Sequence, residues 1–106
     1  MSITTSRFQD GRGLRIRISD RFEFSDHEAF RAAYADIEPQ QTRFIIDLSN
    51  TEYIDSAALG MLLVLRERAG GMHADITLTG FNNTIGQILR VSRFENLFKL
   101  EGSRAA

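Results

Sequence analysis

The chain has 106 residues, with 13 Lys and Arg against 14 Asp and Glu, no Cys and one Pro, the make-up of one compact, nearly neutral domain. With 42% apolar and 25% charged residues it falls outside the disordered, collagen-like and low-complexity classes. The lack of Cys removes disulfide frameworks, thiolate zinc sites, iron–sulfur clusters and cysteine nucleophiles together, and fits a reducing cytoplasm.

The polar start Met1-Ser2-Ile3-Thr4-Thr5-Ser6 has no signal-peptide apolar region, so a cytoplasmic protein is expected. Residues 3 to 8 are predicted to pair, through the Asp10-Gly11 turn, with Leu14-Arg15-Ile16-Arg17-Ile18. Strict alternation in that second run marks a strand with one buried face. Arg7, Arg12, Arg15, Arg17 and Arg21 crowd the first 21 positions, a bias that would suit nucleic acid. The alternation places Arg15 and Arg17 on the wet face instead, and the net charge is −1, so no nucleic-acid partner is expected.

Phe22-Glu23-Phe24 leads to Ser25, whose spacing to Glu28 reads as a capping box opening a helix. Phe30, Ala33, Tyr34 and Ile37 form its apolar stripe, and it stops before Pro39. Arg43-Phe44-Ile45-Ile46-Asp47-Leu48 is nearly continuous in apolar residues, which predicts the middle strand of the sheet, covered on both faces. From Ala57 to Ala69 strong helix formers prevail, and Gly70-Gly71 supplies a stop. The longest apolar run, Met61 to Leu65, is far short of the roughly 20 residues a membrane span needs, so no membrane partner is expected. A strand follows at about Asp75 to Thr79. Asn83 is the predicted cap of a third helix burying Ile85, Ile88 and Leu89 around a weakening Gly86. Phe94, Leu97, Phe98 and Leu100 predict a docked apolar tail before a frayed terminus. The expected fold is α/β: a small mixed β-sheet flanked by helices, in the order β-β-α-β-α-β-α, as a single domain.

Most catalytic signatures are missing. Gly11-x-Gly13 precedes a strand and lacks a third glycine, and there is no phosphate-binding loop. His27 and His73 stand 46 positions apart without a ligand pattern, so neither metal nor cofactor is expected. A triad of Ser56, a histidine and Asp47 is conceivable, but Ser56 is not in a nucleophile elbow. Asn82-Asn83-Thr84 matches a glycosylation acceptor, without meaning for a cytoplasmic chain.

One constellation remains, from Asp47-Leu48-Ser49 through Tyr53-Ile54 to Asp55-Ser56-Ala57-Ala58-Leu59-Gly60. Ser56 stands where a helix begins, and its plain role is N-cap. A hydroxyl there also lies beside the positive end of a helix, where an added phosphate would meet free N–H groups. Around that helix Ala58, Leu59, Leu62, Leu65 and Ala69 converge on one side. Gly60 and Val64 fall beside Glu67 and Arg68 on the other, with Ala57 and Met61 at the margin. An apolar patch on the wet side implies either a partner or a neighbouring element of the same domain.

This constellation resembles the hallmark of the STAS family, the small domains of bacterial anti-sigma factor antagonists: a strand ending in Asp-x-Ser, a short loop, then Asp-Ser, small residues and Leu-Gly at a helix start. The resemblance extends over about residues 8 to 100 and implies a STAS-like domain filling 1–106, with its core at 8–100. It implies a non-enzymatic module that binds an anti-sigma factor with serine kinase activity and is released when Ser56 is phosphorylated, a serine phosphatase reversing the change. It further implies that Glu23, Asp55, Ala57, Gly60, Met61 and Val64 lie at or near the partner surface. Asp20 and Glu23 stand where many relatives carry glycine and aspartate, and Ala57 and Ala58 replace a frequent Ser-Gly. The competing expectation is a STAS-like scaffold or small-ligand module of a sensory complex, with Ser56 only capping its helix.

Overall fold

The computed structural model describes residues 3–103, so the terminus expected to fray lies outside the described residues. Strand β1 (Ile3–Arg7) runs antiparallel to β2 (Gly13–Phe22), and Gly11, at φ 72°, makes the turn between them. Helix α1 (His27–Ala33), strand β3 (Arg43–Ile54), helix α2 (Ser56–Arg68), strand β4 (Asp75–Thr79), helix α3 (Asn83–Val91) and strand β5 (Lys99–Glu101) follow. The sheet order is β1-β2-β3-β4-β5, with β2 to β5 parallel, so β3 is the middle strand as predicted. The α/β mixed sheet and its helix order also match expectation, with one strand added: Lys99–Glu101, read as part of an apolar tail, pairs with β4.

Leu14, Ile16 and Ile18 of β2, Phe44, Ile46 and Leu48 of β3, and Ile76 and Leu78 of β4 share one buried face. Phe30, Leu62, Leu65, Ile85 and Leu89 from the three helices join them in a single core. Each such side chain contributes roughly 1.5–3 kcal/mol by leaving water. The other sheet face is polar, which corrects the expectation that β3 is apolar-packed on both sides. There Asp47 is buried beneath Arg15 (Nη1, 3.1 Å) and Arg17 (Nε, 3.3 Å), and Asp75 binds Arg43 and Lys99. Arg15 and Arg17 are therefore tied to the sheet rather than idle in solvent.

Several boundaries moved. A 3-10 turn at Phe24–Asp26 precedes α1, and its reciprocal capping box joins Glu23 and Asp26, not Ser25 and Glu28. Helix α1 ends at Ala33, with Tyr34 as C-cap, so Ile37 packs from beyond the helix. Asn82 rather than Asn83 caps α3, accepting from the Ile85 amide at 2.8 Å. Strand β3 does not stop at Leu48 but continues to Ile54, where register shifts let it follow β2.

Candidate functional site

Because β2 and β3 are parallel and Phe22 pairs with Ile54, the chain leaves both strands at the same end of the sheet. This sets the turn beginning at Glu23 beside the start of α2. Asp55 joins the two. Its amide donates to the Phe22 carbonyl (3.3 Å), its Oδ2 accepts from the Phe24 amide (3.1 Å), and its Oδ1 accepts from the Ala58 amide (2.8 Å). The last bond makes Asp55 the N-cap of α2, which corrects the reading of Ser56 in that role. Ser56 is the first helical residue, exposed and with its hydroxyl outside the capping bonds. The physical reason is backbone conformation: Asp55 is extended (φ −107°, ψ 176°), as an N-cap requires.

Glu23, half-buried, pairs with Arg21 (Nε to Oε1, 3.0 Å), whose guanidinium lies 4.0 Å over the Tyr53 ring. Glu52, four positions before Ser56 in sequence, is not part of this junction. It lines a different, polar depression with Asp20, Ser49 and Asn82. Asp20 itself has φ 63°, the left-handed conformation in which glycine is most at ease, and short polar Asp tolerates it.

Between α1 and α2 runs a groove of about 360 Å³. Ala57, Gly60, Met61 and Val64 form its α2 wall, and Phe24 and Phe30 face them. Val64 is 50% exposed and neighbouring Leu63 39%, so the apolar patch on the wet side of α2 is left uncovered by the described chain around Val64, with Ala57 and Gly60 half-buried. A Cβ added to Gly60 would meet nothing within 4 Å. Met61 differs from its neighbours: it is 6% exposed and belongs to the core, offering the groove only a floor. Phe24, 73% exposed, was missed in the sequence because a lone aromatic in a short turn carries no periodicity.

The Asp-x-Ser part of the hallmark serves the sheet. Ser49 donates to Asp47 Oδ1 through its hydroxyl (2.7 Å) and amide (3.0 Å). Burial pushes the Asp47 carboxyl up, but the Ser49 and Arg15 hydrogen bonds and the Arg17 charge outweigh it and hold the group below the usual carboxylate range. With its oxygens so engaged, Asp47 orients no histidine, and the conceivable triad is not assembled.

The family model described as Mlab, STAS domain, matches residues 6–101. The chain is a STAS domain. A STAS-domain containing protein of Pseudomonas aeruginosa (strain UCBPP-PA14) is 45% identical over 100 residues, covering 94% of this chain and 99% of that one. Among solved structures, a candidate anti-sigma factor antagonist of Thermotoga maritima superposes with a TM-score of 0.78 at 15% identity, covering 93% of this chain and 85% of the other. Bacillus SpoIIAA in its phosphorylated form gives 0.71 at 14%, covering 92% and 89%. At such identities the solved structures establish a shared fold. Among the described residues of this STAS domain, no helix is long and apolar enough to cross a membrane.

Proposed function

We propose that this STAS domain is an anti-sigma factor antagonist in a partner-switching pathway. Unmodified, it binds an anti-sigma factor that is also a serine kinase; phosphorylated on Ser56, it lets go, and a phosphatase resets it. The observation that carries this reading is the exposed Ser56 hydroxyl at the first turn of α2, next to an uncovered apolar surface that includes Val64. The likeness to SpoIIAA, known in a phosphorylated form, supports it. Glu23, Asp55, Ala57, Gly60 and Val64 would meet the partner, with Met61 beneath them.

The switch follows from charge. A phosphate brings about 1.5 to 2 negative charges at neutral pH, and here it would stand beside the Asp55 carboxylate. Asp55 already engages the Ala58 amide, leaving the Ser56 and Ala57 amides, which have no acceptor within the helix, to hold the dianion. A partner pressed on this face must desolvate that charge. Failing to pair it costs several kcal/mol, and each 1.4 kcal/mol weakens binding tenfold, so release needs no refolding. The test starts from a pull-down in the native cell, with mass spectrometry to identify the kinase partner. That kinase should label the wild type and not Ser56→Ala. Ser56→Asp should fold normally and bind the partner at least tenfold more weakly, while Ser56→Ala retains it. Equal labelling of Ser56→Ala, or unchanged affinity of Ser56→Asp, refutes the proposal.

A further inference from the structure

The far half of the α1–α2 groove contains polar groups that the switch does not use. Tyr34 lines it, and its side chain is almost wholly buried, at 5% exposure, with its ring edge-on to Phe30 and Phe44. Its hydroxyl makes no hydrogen bond with the described residues. Yet among those residues no sealed side-chain oxygen or nitrogen is left unpartnered, so the hydroxyl opens onto the groove. Arg31 from α1 and Arg68 from α2 line the same space, and neither forms an ion pair with a described residue. Both guanidinium charges act on the Tyr34 phenol, from helices 37 positions apart at those arginines. No Asp or Glu lines the groove.

Two uncompensated cations and a neutral O–H donor thus converge at one end of a trough walled by Phe30, Met61 and Val64. Its volume, about 360 Å³, falls in the range of small-molecule sites. Beyond Tyr34 and His27, no lining side chain carries an amide or hydroxyl for a sugar or nucleobase, and the polar end offers a cation no carboxylate. A carboxylate answers both guanidinium groups and accepts from the phenol, and an alkyl chain answers the walls. We propose that this groove binds an anionic amphiphile of the fatty-acid class, its carboxylate held by Arg31, Arg68 and the Tyr34 hydroxyl and its chain laid along Phe30, Met61 and Val64. The site does not involve Ser56. A bound chain would cover Gly60 and Val64, and so compete with the partner proposed above.

The purified full-length chain is titrated with decanoate below its micelle-forming concentration, and with decanol and decylammonium as matched probes, by calorimetry and by amide NMR shifts. Decanoate should bind saturably, with shifts confined to α1, α2 and the Phe24 turn, and at least tenfold more tightly than either control. Tyr34→Phe keeps the ring and removes one charge-assisted hydrogen bond, which predicts about tenfold weaker binding. The double variant Arg31→Gln/Arg68→Gln should lose more, and the wild-type affinity should fall with added salt. Urea unfolding of each variant separates lost binding from lost folding. Equal affinity for decanol identifies a merely apolar patch, such as a protein docking face, and overturns the proposal. So do equal affinity for decylammonium, an unaffected Tyr34→Phe variant that is folded, or shifts elsewhere. Because Ser56→Ala should bind decanoate like the wild type, failure of the phosphorylation reading leaves this result intact, and the reverse.

Discussion

Replacing Asp55 by Ala should unfold the junction between the Phe24 turn and α2 more than any change at Ser56. Two bonds disappear: the N-cap to the Ala58 amide at 2.8 Å and the tie to the Phe24 amide at 3.1 Å. Loss of an Asp cap costs about 1 kcal/mol. The second bond, exposed on the Phe24 side, adds about another 1 kcal/mol. A total of about 2 kcal/mol lowers the melting temperature of a domain this size by roughly 8 to 16 °C. Ser56→Ala, at the first helical position and outside the cap, should change stability by less than about 0.5 kcal/mol. Asp55→Asn should fall between, because Asn caps well but its amide nitrogen cannot accept from Phe24. Thermal and urea unfolding of the three variants measures this directly. A Ser56→Ala variant that melts as early as Asp55→Ala would mean that serine, after all, caps the helix.

Val64→Glu should leave the melting temperature within a few degrees of the wild type, since the side chain is half exposed, while weakening the partner complex; early melting would put Val64 in the core. Gly60→Ala should raise stability by up to about 1 kcal/mol, because the added methyl meets nothing within 4 Å and Ala favours helix; a loss in urea unfolding would contradict that open space. Asp20→Val should cost about 1–2 kcal/mol, because a β-branched residue resists φ 63°, and Asp20→Gly in the same assay should not. The Asp47 carboxyl gives up its proton more readily folded than unfolded, so the unfolded chain binds more protons and stability rises with pH. That contribution is present above the unfolded value of about 3.9 and is lost as pH falls through the folded one. Urea unfolding between pH 6 and 3 should therefore show the stability gap between wild type and Asp47→Asn narrowing; a constant gap would rule this out.

Period and composition already located the alternating β2, the middle strand β3, helix α2 and the apolar residues on the polar side of α2, Val64 among them, since these are written in neighbouring residues; that Val64 stays uncovered was decided by the tertiary structure. The Asp-Ser pair at a helix start was equally legible, but not which residue caps. Both types cap well, and the choice was made by the Phe22 carbonyl and Phe24 amide, more than 30 positions away, which hold Asp55 extended. The polar sheet face was hidden for a similar reason. Ile45 and Ile46 look alike in a one-dimensional pattern, and only the pairing of β2 with β3 brings Arg15 and Arg17 over Asp47. Strand β5 is three residues long, too short for a period, and exists because β4 offers it a parallel edge. The groove belongs wholly to tertiary structure. Tyr34 reads as core and Arg68 as an ordinary wet-face charge, until packing of α1 against α2 sets them around one cavity with Arg31.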